Sequence, residues 1–365
     1  MNEDFLQKKL QERKDQHAFR QLRLPDGKTD FYSNDYLGIV KNRLLPPPEP
    51  GLASGSTGSR LLAGNYLLAE ETERALAAFH GAEAALLFNS GYDANSGLLG
   101  CLPQRGDTIL YDSLSHASIR DGIRLSFAQS FSFAHNDVDD LEKKLTTVKS
   151  GHIFVVTESV FSMDGDEAPL EAMAALCRDY DAGLIVDEAH ATGVVGARGE
   201  GLVQQLGLEQ ACFARVHTFG KAVGCHGALI AGSGQLRDYL INFCRPFIFS
   251  TALPETAVHA IRESYRLFPG LMAARQQLQL LIRQWQQARL PYETLLSGTP
   301  IQGVIIPGNE AVKEMAARLQ DNHLGVRPIL YPTVPRGKER LRIILHAFNT
   351  EAELQQLIQM LMETK

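Results

Sequence analysis

The 365-residue chain is poor in cysteine, in tryptophan and in long apolar runs. Its five cysteines, Cys101, Cys177, Cys212, Cys225 and Cys244, are odd in number and scattered, and none forms a C-x-x-C pair. That excludes a disulfide framework and a zinc ribbon, and it suits reduced thiols in a cytoplasmic protein. No metal is expected. No apolar run reaches the length of a membrane-spanning helix. The opening residues, MNEDFLQKKL, are charged and lack an apolar h-region, so no signal peptide is expected. A net charge of −6 gives no general attraction to nucleic acid or to an anionic membrane. The phosphate loop G-x-x-x-x-G-K-[ST] is missing too. Asp187-Glu-Ala-His190 therefore only looks like a helicase box.

What remains is an ordinary globular composition, 44% apolar and 21% charged, on a chain long enough for two domains. Residues 4–24 alternate apolar and charged side chains at helical spacing, which predicts an amphipathic N-terminal helix. The proline run Pro46-Pro-Pro-Glu-Pro50 separates this arm from the main body. Short apolar strands then alternate with helices: 84–88, 108–111, 152–157 and 183–186 read as buried strands. That pattern predicts βαβ units and a mainly parallel sheet flanked by helices, an α/β fold. After about Pro254 the texture changes to a smaller α+β domain. The expected organisation is an N-terminal arm over 1–45, a large domain over 46–256 and a small domain over 257–365.

Ligands collect at the carboxyl ends of parallel strands. Ser90-Gly91-Tyr92, Asp112 to His116, Glu158 to Asp164, Asp187 with His190, and Thr218 with Lys221 each follow a strand. Lys221 lies between Gly220 and Gly224 and just before the apolar run Ala228-Leu-Ile-Ala231. A lysine entering a core is costly unless it is neutral or bonded, and a Schiff base to a carbonyl cofactor achieves both. A buried carboxylate, Asp187, stands 34 residues earlier. This pair suits pyridoxal 5'-phosphate (PLP). The acid would hold the pyridine nitrogen protonated, and the lysine would carry the aldehyde. Main-chain N–H groups at Ser90-Gly91-Tyr92 and the Thr218 hydroxyl would receive the phosphate.

With these residues in place the chain resembles the α-oxoamine synthases, fold-type-I PLP enzymes that join an amino acid to an acyl thioester with loss of CO2. The resemblance spans nearly the whole chain. It rests on Ser33-Asn-Asp-Tyr-Leu-Gly38, Gly55-Ser-Thr-Gly-Ser-Arg60, Asn89-Ser-Gly-Tyr92, Leu114-Ser-His-Ala-Ser118 and Glu158-Ser-Val-Phe-Ser-Met-Asp-Gly-Asp166. It continues through Asp187-Glu-Ala-His-Ala-Thr-Gly193, His217-Thr-Phe-Gly-Lys221, Phe249-Ser-Thr-Ala-Leu-Pro254, Pro332-Thr-Val-Pro335 and Arg340-Leu-Arg342.

The resemblance implies that Lys221 carries the cofactor and then serves as base at Cα. Asp187 would pair with the pyridine nitrogen, His190 would lie near the phenolic oxygen, and His116 would stack on the ring. Gly91, Tyr92, Ser162 and Thr218 would hold the cofactor. Ser250 or Thr251 would reach the phosphate of a neighbouring subunit in a homodimer. Arg342, with Asn34, would receive the amino-acid carboxylate. Thr333 would lie by the substrate, and Arg20 would meet the acyl donor. Ala134-His-Asn-Asp-Val138, the threonine after Asp-Glu-Ala-His-Ala and Pro-Thr-Val-Pro point to the biotin-pathway branch. Its substrates are L-alanine and a pimeloyl thioester, on acyl carrier protein or on CoA. Glycine C-acetyltransferase and serine palmitoyltransferase-like activities stay open, because one methyl beside Cα discriminates by only about 1–3 kcal/mol. A binding or regulatory protein that kept the fold without the activity is the alternative from another class.

Overall fold

The computed structural model describes residues 3–22, 24 and 27–363. By its internal contacts the chain divides into two units. The larger holds Leu37–Ser162 and Glu167–Arg275. The smaller holds the residues up to Tyr36, Met163–Asp166 and those from Gln276 onward.

The larger unit is built on seven strands: β1 (Ala84–Phe88), β2 (Thr108–Asp112), β3 (Gln129–Phe133), β4 (Ile153–Glu158), β5 (Ala182–Asp187), β6 (Cys212–Thr218) and β7 (Ala228–Gly232). Their order across the sheet is β1-β7-β6-β5-β4-β2-β3. All pairings are parallel except those of β7, which runs antiparallel to both β1 and β6. Parallel strands buried on both faces need apolar residues throughout. The inner strands supply them, with Val155, Val156, Leu184, Ile185, Val216 and Ile230 all buried. The mainly parallel sheet expected from the sequence is therefore present.

Helices Gly91–Cys101 and Ala117–Leu125 cover one face of the sheet. Leu98, Leu99, Ile119 and Ile123 pack there against Val156, Ile185 and Val216. The two helices meet at Gly122, where a Cβ would come within 2.9 Å of Asn95 O and Ser96 Cα. Only glycine permits that approach, and it brings Asn95 and Ser118 to the carboxyl edge of the sheet.

Helix Glu255–Leu267, expected from the sequence to open the small domain, belongs to the larger unit. Its Ser264 hydroxyl donates to Val223 O at 2.5 Å, just past the lysine loop. The N-terminal helix is shorter than expected. It spans Asp4–Asp15, buries none of its residues, and gives way to His17 at φ 52°. Arg20 is therefore not on a helix.

In the smaller unit, β8 (Ile301–Ile305), β9 (Arg327–Ile329) and β10 (Arg340–Ile344) form an antiparallel sheet in the order β9-β10-β8. Helices Asn309–Asp321 and Glu351–Met362 accompany this sheet, the second opening on a capping box from Thr350 and Glu353. Among the described residues no helix is long and apolar enough to cross a membrane.

Candidate active site

Asp187 ends β5 beside Glu158 of β4 and Val216 of β6 in the sheet register. Its carboxylate is buried and held from two sides. Oδ1 accepts from Ala189 N at 2.9 Å, and Oδ2 accepts from Asn95 Nδ2 at 2.6 Å. Asn95 also donates to Ser118 Oγ at 3.1 Å, and Ser118 Oγ lies 2.7 Å from His116 Nδ1. A chain of hydrogen bonds thus ties the acid of one strand end to the histidine of another. Sequence reasoning missed Asn95. It sits within an apolar helical run, and only the packing at Gly122 reveals its role.

His116 is the N-cap of its helix, and its backbone N–H donates to Glu158 Oε1 at 2.7 Å. Burial lowers its pKa and Lys221 pushes it the same way, while Asp187 opposes them. The imidazole is therefore biased toward its neutral form, which suits a stacking face. Glu158 is fully buried beside Asp187, and burial together with that charge pushes its pKa up to about 8. Glu188, the second residue of the Asp-Glu-Ala-His motif, turns away from this group. It accepts from Leu202 N and Val203 N at 2.8 Å each, and burial pushes it up to about 7. Asp112 is bonded by Leu114 N of its own loop and by His135 Nδ1 and Asn136 N of the loop after β3.

Lys221 follows β6 on the turn between β6 and β7. Its Nζ donates to Thr218 Oγ1 at 3.3 Å. Phe219 N bonds to Gly227 O and Cys225 N to Phe219 O, so the lysine sits on a closed loop. Gly91 begins the helix that meets this strand end. A Cβ there would lie 2.3 Å from Thr218 Cγ2. The missing side chain leaves room for the first-turn N–H groups to face a small anion. Ser90 caps that helix, accepting from Asp93 N at 3.0 Å. The Tyr92 side chain turns to solvent. Its ring is exposed and its hydroxyl is bonded to Asp121.

His190 is buried on the loop after Asp187, and Ser162 is half-buried on the loop after β4. Ser250 is half-buried and Thr251 exposed. Their segment is anchored by Asn89 Nδ2 on Thr251 O at 2.8 Å and by Ala252 N on Gly58 O at 3.0 Å. The Gly-rich loop before it is fixed by Arg60, whose guanidinium forks onto Glu73 at 2.7 and 3.1 Å.

In the smaller unit a second cluster forms. Arg342 is buried on β10, and its Nη2 donates to Asn34 Oδ1 at 3.1 Å. Tyr36, fully buried, donates to the same oxygen at 3.3 Å, and burial pushes its phenol up to about 12 against the pull of Arg342. Arg20 Nη2 donates to Thr333 Oγ1 at 3.1 Å, both residues being exposed. All four substrate-side residues singled out in the sequence outside the larger unit thus fall into two contacting pairs. Arg340, two residues before Arg342, is instead paired with Asp164.

The model of the family described as aminotransferase class I and II matches residues 26–361. The 8-amino-7-oxononanoate synthase of Emericella nidulans is 40% identical, over 98% of this chain and 94% of its own. That of Marinobacter nauticus is 39% identical, over 98% and 95%. A solved structure of a serine palmitoyltransferase from S. paucimobilis, with a bound PLP-myriocin aldimine, superposes with a TM-score of 0.86 at 29% identity. It covers 99% of this chain and 96% of that one. The 8-amino-7-oxononanoate synthase structure from Francisella tularensis gives a TM-score of 0.77 at 27% identity, over 93% and 98%. The chain belongs to the aminotransferase class I and II family, and its fold is the fold-type-I architecture expected from the sequence.

Proposed function

We propose that the chain is a PLP-dependent acyltransferase, an 8-amino-7-oxononanoate synthase of biotin biosynthesis. It condenses L-alanine with a pimeloyl thioester of acyl carrier protein or CoA and releases CO2 and free thiol. The observation that carries this reading is that a lysine amine and a buried carboxylate stand at the ends of neighbouring strands, both near enough to His116 and Glu158 to act on their charge, with a cradle kept open by Gly91.

The residues present fit the cofactor. Asp187 offers a buried carboxylate for a ring nitrogen, the first turn from Gly91 offers N–H donors for a phosphate, and Thr218 adds a hydroxyl. His116, His190 and Ser162 complete the holding set. When bound, PLP supplies an electron sink for the pair left at the amino acid's Cα. Lys221 Nζ would hold the cofactor through its aldehyde and would serve as the base that takes the amino acid's Cα proton. Arg342 receives the substrate carboxylate with its planar fork, and Asn34 fixes that fork through its amide oxygen. Thr333 and Arg20 lie by the acyl donor. The enzyme works in the cytoplasm as a homodimer, in which Ser250 or Thr251 serves the partner's phosphate. The exposure of neighbouring Phe249, at 71%, supports an interface there.

The test is thiol release from pimeloyl, acetyl and palmitoyl thioesters, each offered with alanine, glycine and serine. Turnover confined to alanine with the pimeloyl donor is the expected result. Preference for serine with palmitoyl donors would favour the second reading, a serine palmitoyltransferase-like enzyme, which the TM-score of 0.86 recommends. The higher sequence identity, 40%, favours the synthase.

A further inference from the structure

A second cavity of the larger unit lies at the other edge of the same sheet, where the parallel strands begin. It is a groove of about 900 Å³, lined among others by Gly81, Asp181, Gly183, Glu209, Phe213 and Arg215. Its wall carries a pair of aromatic rings, Phe154 and Phe213, set edge to face at 5.8 Å. Gly183 lies against both rings, its missing Cβ 3.3 Å from each.

Arg215 is the unusual member. It stands inside β6 with only 2% of its surface exposed. Among the described residues its guanidinium has no hydrogen-bond or ion-pair partner within 4 Å. Glu188 and Glu209 are near enough to favour its charge but do not touch it. Glu188 is already occupied by two main-chain N–H groups. His80 and His217, stacked 3.7 Å apart, are held neutral by burial and supply no anion. Its nitrogens are not among the fully buried unpartnered polar atoms, and Arg215 lines the groove, so the guanidinium meets that space with its donors unmatched by any protein acceptor.

The rim has the opposite character. Glu83, Asp181 and Glu209 line it. None of the three pairs with a cation within 4 Å among the described residues. A polyanion would be repelled there, whereas a molecule with one anionic end and a donor-bearing end would be matched twice.

We propose that this groove binds a small molecule through a single carboxylate or phosphate group seated on Arg215, with N–H or O–H donors at its other end directed to Glu83, Asp181 and Glu209. Nothing in the proposed reaction uses this edge of the sheet, so the site is a second one on the same unit.

The test is calorimetric titration of the cofactor-loaded protein with inorganic phosphate and, separately, with 6-aminohexanoate. Saturable binding of at least one compound is expected, weakened about tenfold or more in Arg215→Met. Binding of phosphate alone assigns a phosphate ester, and binding of 6-aminohexanoate alone assigns an amino carboxylate. The visible absorbance of the bound cofactor should stay constant throughout. Failure of both compounds to bind, equal affinity in Arg215→Met, or a change in cofactor absorbance on binding would each overturn the proposal. Should Arg215→Met fail to fold, Glu209→Gln decides instead. Removing that half-buried carboxylate weakens 6-aminohexanoate, whose ammonium it would receive, or tightens phosphate, which it repels, each several-fold, and unchanged binding of the compound that binds the wild type refutes the site.

Discussion

Gly91 and Thr218 make the sharpest test of the cradle. A methyl group at position 91 would sit 2.3 Å from Thr218 Cγ2 and 3.4 Å from Thr218 Cβ. Carbon atoms prefer about 3.5–4.0 Å, so more than an ångström must be found somewhere. Two escapes exist. The helix from Gly91 can move off the strand end, which pulls the first-turn N–H groups away from the anion site. Alternatively, Thr218 can rotate about χ1, which swings Oγ1 away from Lys221 Nζ, now 3.3 Å distant. Overpacking of this kind costs about 1–3 kcal/mol. Gly91→Ala should therefore weaken PLP binding by roughly 5- to 150-fold, at 1.4 kcal/mol per factor of ten. Thr218→Ser removes the offending methyl and keeps the hydroxyl, so alone it should change affinity little. The double variant should recover most of the loss, a coupling within the range of about 0.5–3 kcal/mol seen for touching residues. Cofactor titration followed by absorbance, on all four proteins, measures each term. A double variant as weak as Gly91→Ala alone would refute the contact as the cause.

Three further outcomes are expected. Lys221→Ala should abolish the visible absorbance of the bound cofactor and lower turnover by at least about a hundredfold, the minimum for losing a positioned base; retention of both, read by spectroscopy and thiol release, would dismiss Lys221. Arg342→Lys keeps the charge but loses the fork, and should raise KM for the amino acid roughly 10- to 100-fold with kcat far less affected, since a charge-assisted hydrogen bond contributes about 1.5–3 kcal/mol. In the cofactor-free protein the Glu158 carboxyl titrates near 8, against an ordinary value of 4.5. Its stabilising contribution is complete below 4.5 and is lost as pH rises to about 8, because over that window the folded form holds the extra proton. Glu158→Gln should flatten the fall of Tm across that window while keeping the acceptor for His116 N. A variant with the wild-type slope would show that the slope arises elsewhere.

The alternation of apolar strands with helices was enough to read the sheet, because strands buried on both faces have no polar side to confuse the pattern. Strand direction was not legible. Ala228-Leu-Ile-Ala231 is apolar in either orientation, and only the tight loop around Lys221 returns it antiparallel to β6. Helix Gly234–Phe243 was missed because it buries only Leu236 and Leu240, too narrow a stripe to register as periodic. The N-terminal helix was overextended for the converse reason. Helical spacing continues in the sequence to Leu24, but no packing enforces it, and the described helix stops at Asp15.

The carboxyl edge of the sheet shows why motif residues were easier to find than their supports. Glu158, Asp187 and Glu188 crowd the ends of two adjacent strands, and all three are buried. Three like charges there would repel one another in a low-dielectric setting. Each of the three is held by donors of its own. Asp187 has an amide donor from Asn95 and one main-chain N–H. Glu158 has a single main-chain N–H and Glu188 two. Asp187 is itself a cause of the upward shifts on both neighbours. The neighbours thus hold protons partly because Asp187 is there. Carboxylates in a motif announce themselves in sequence, but the donors that hold them in place, such as Asn95, 92 positions away along the chain from Asp187, do not.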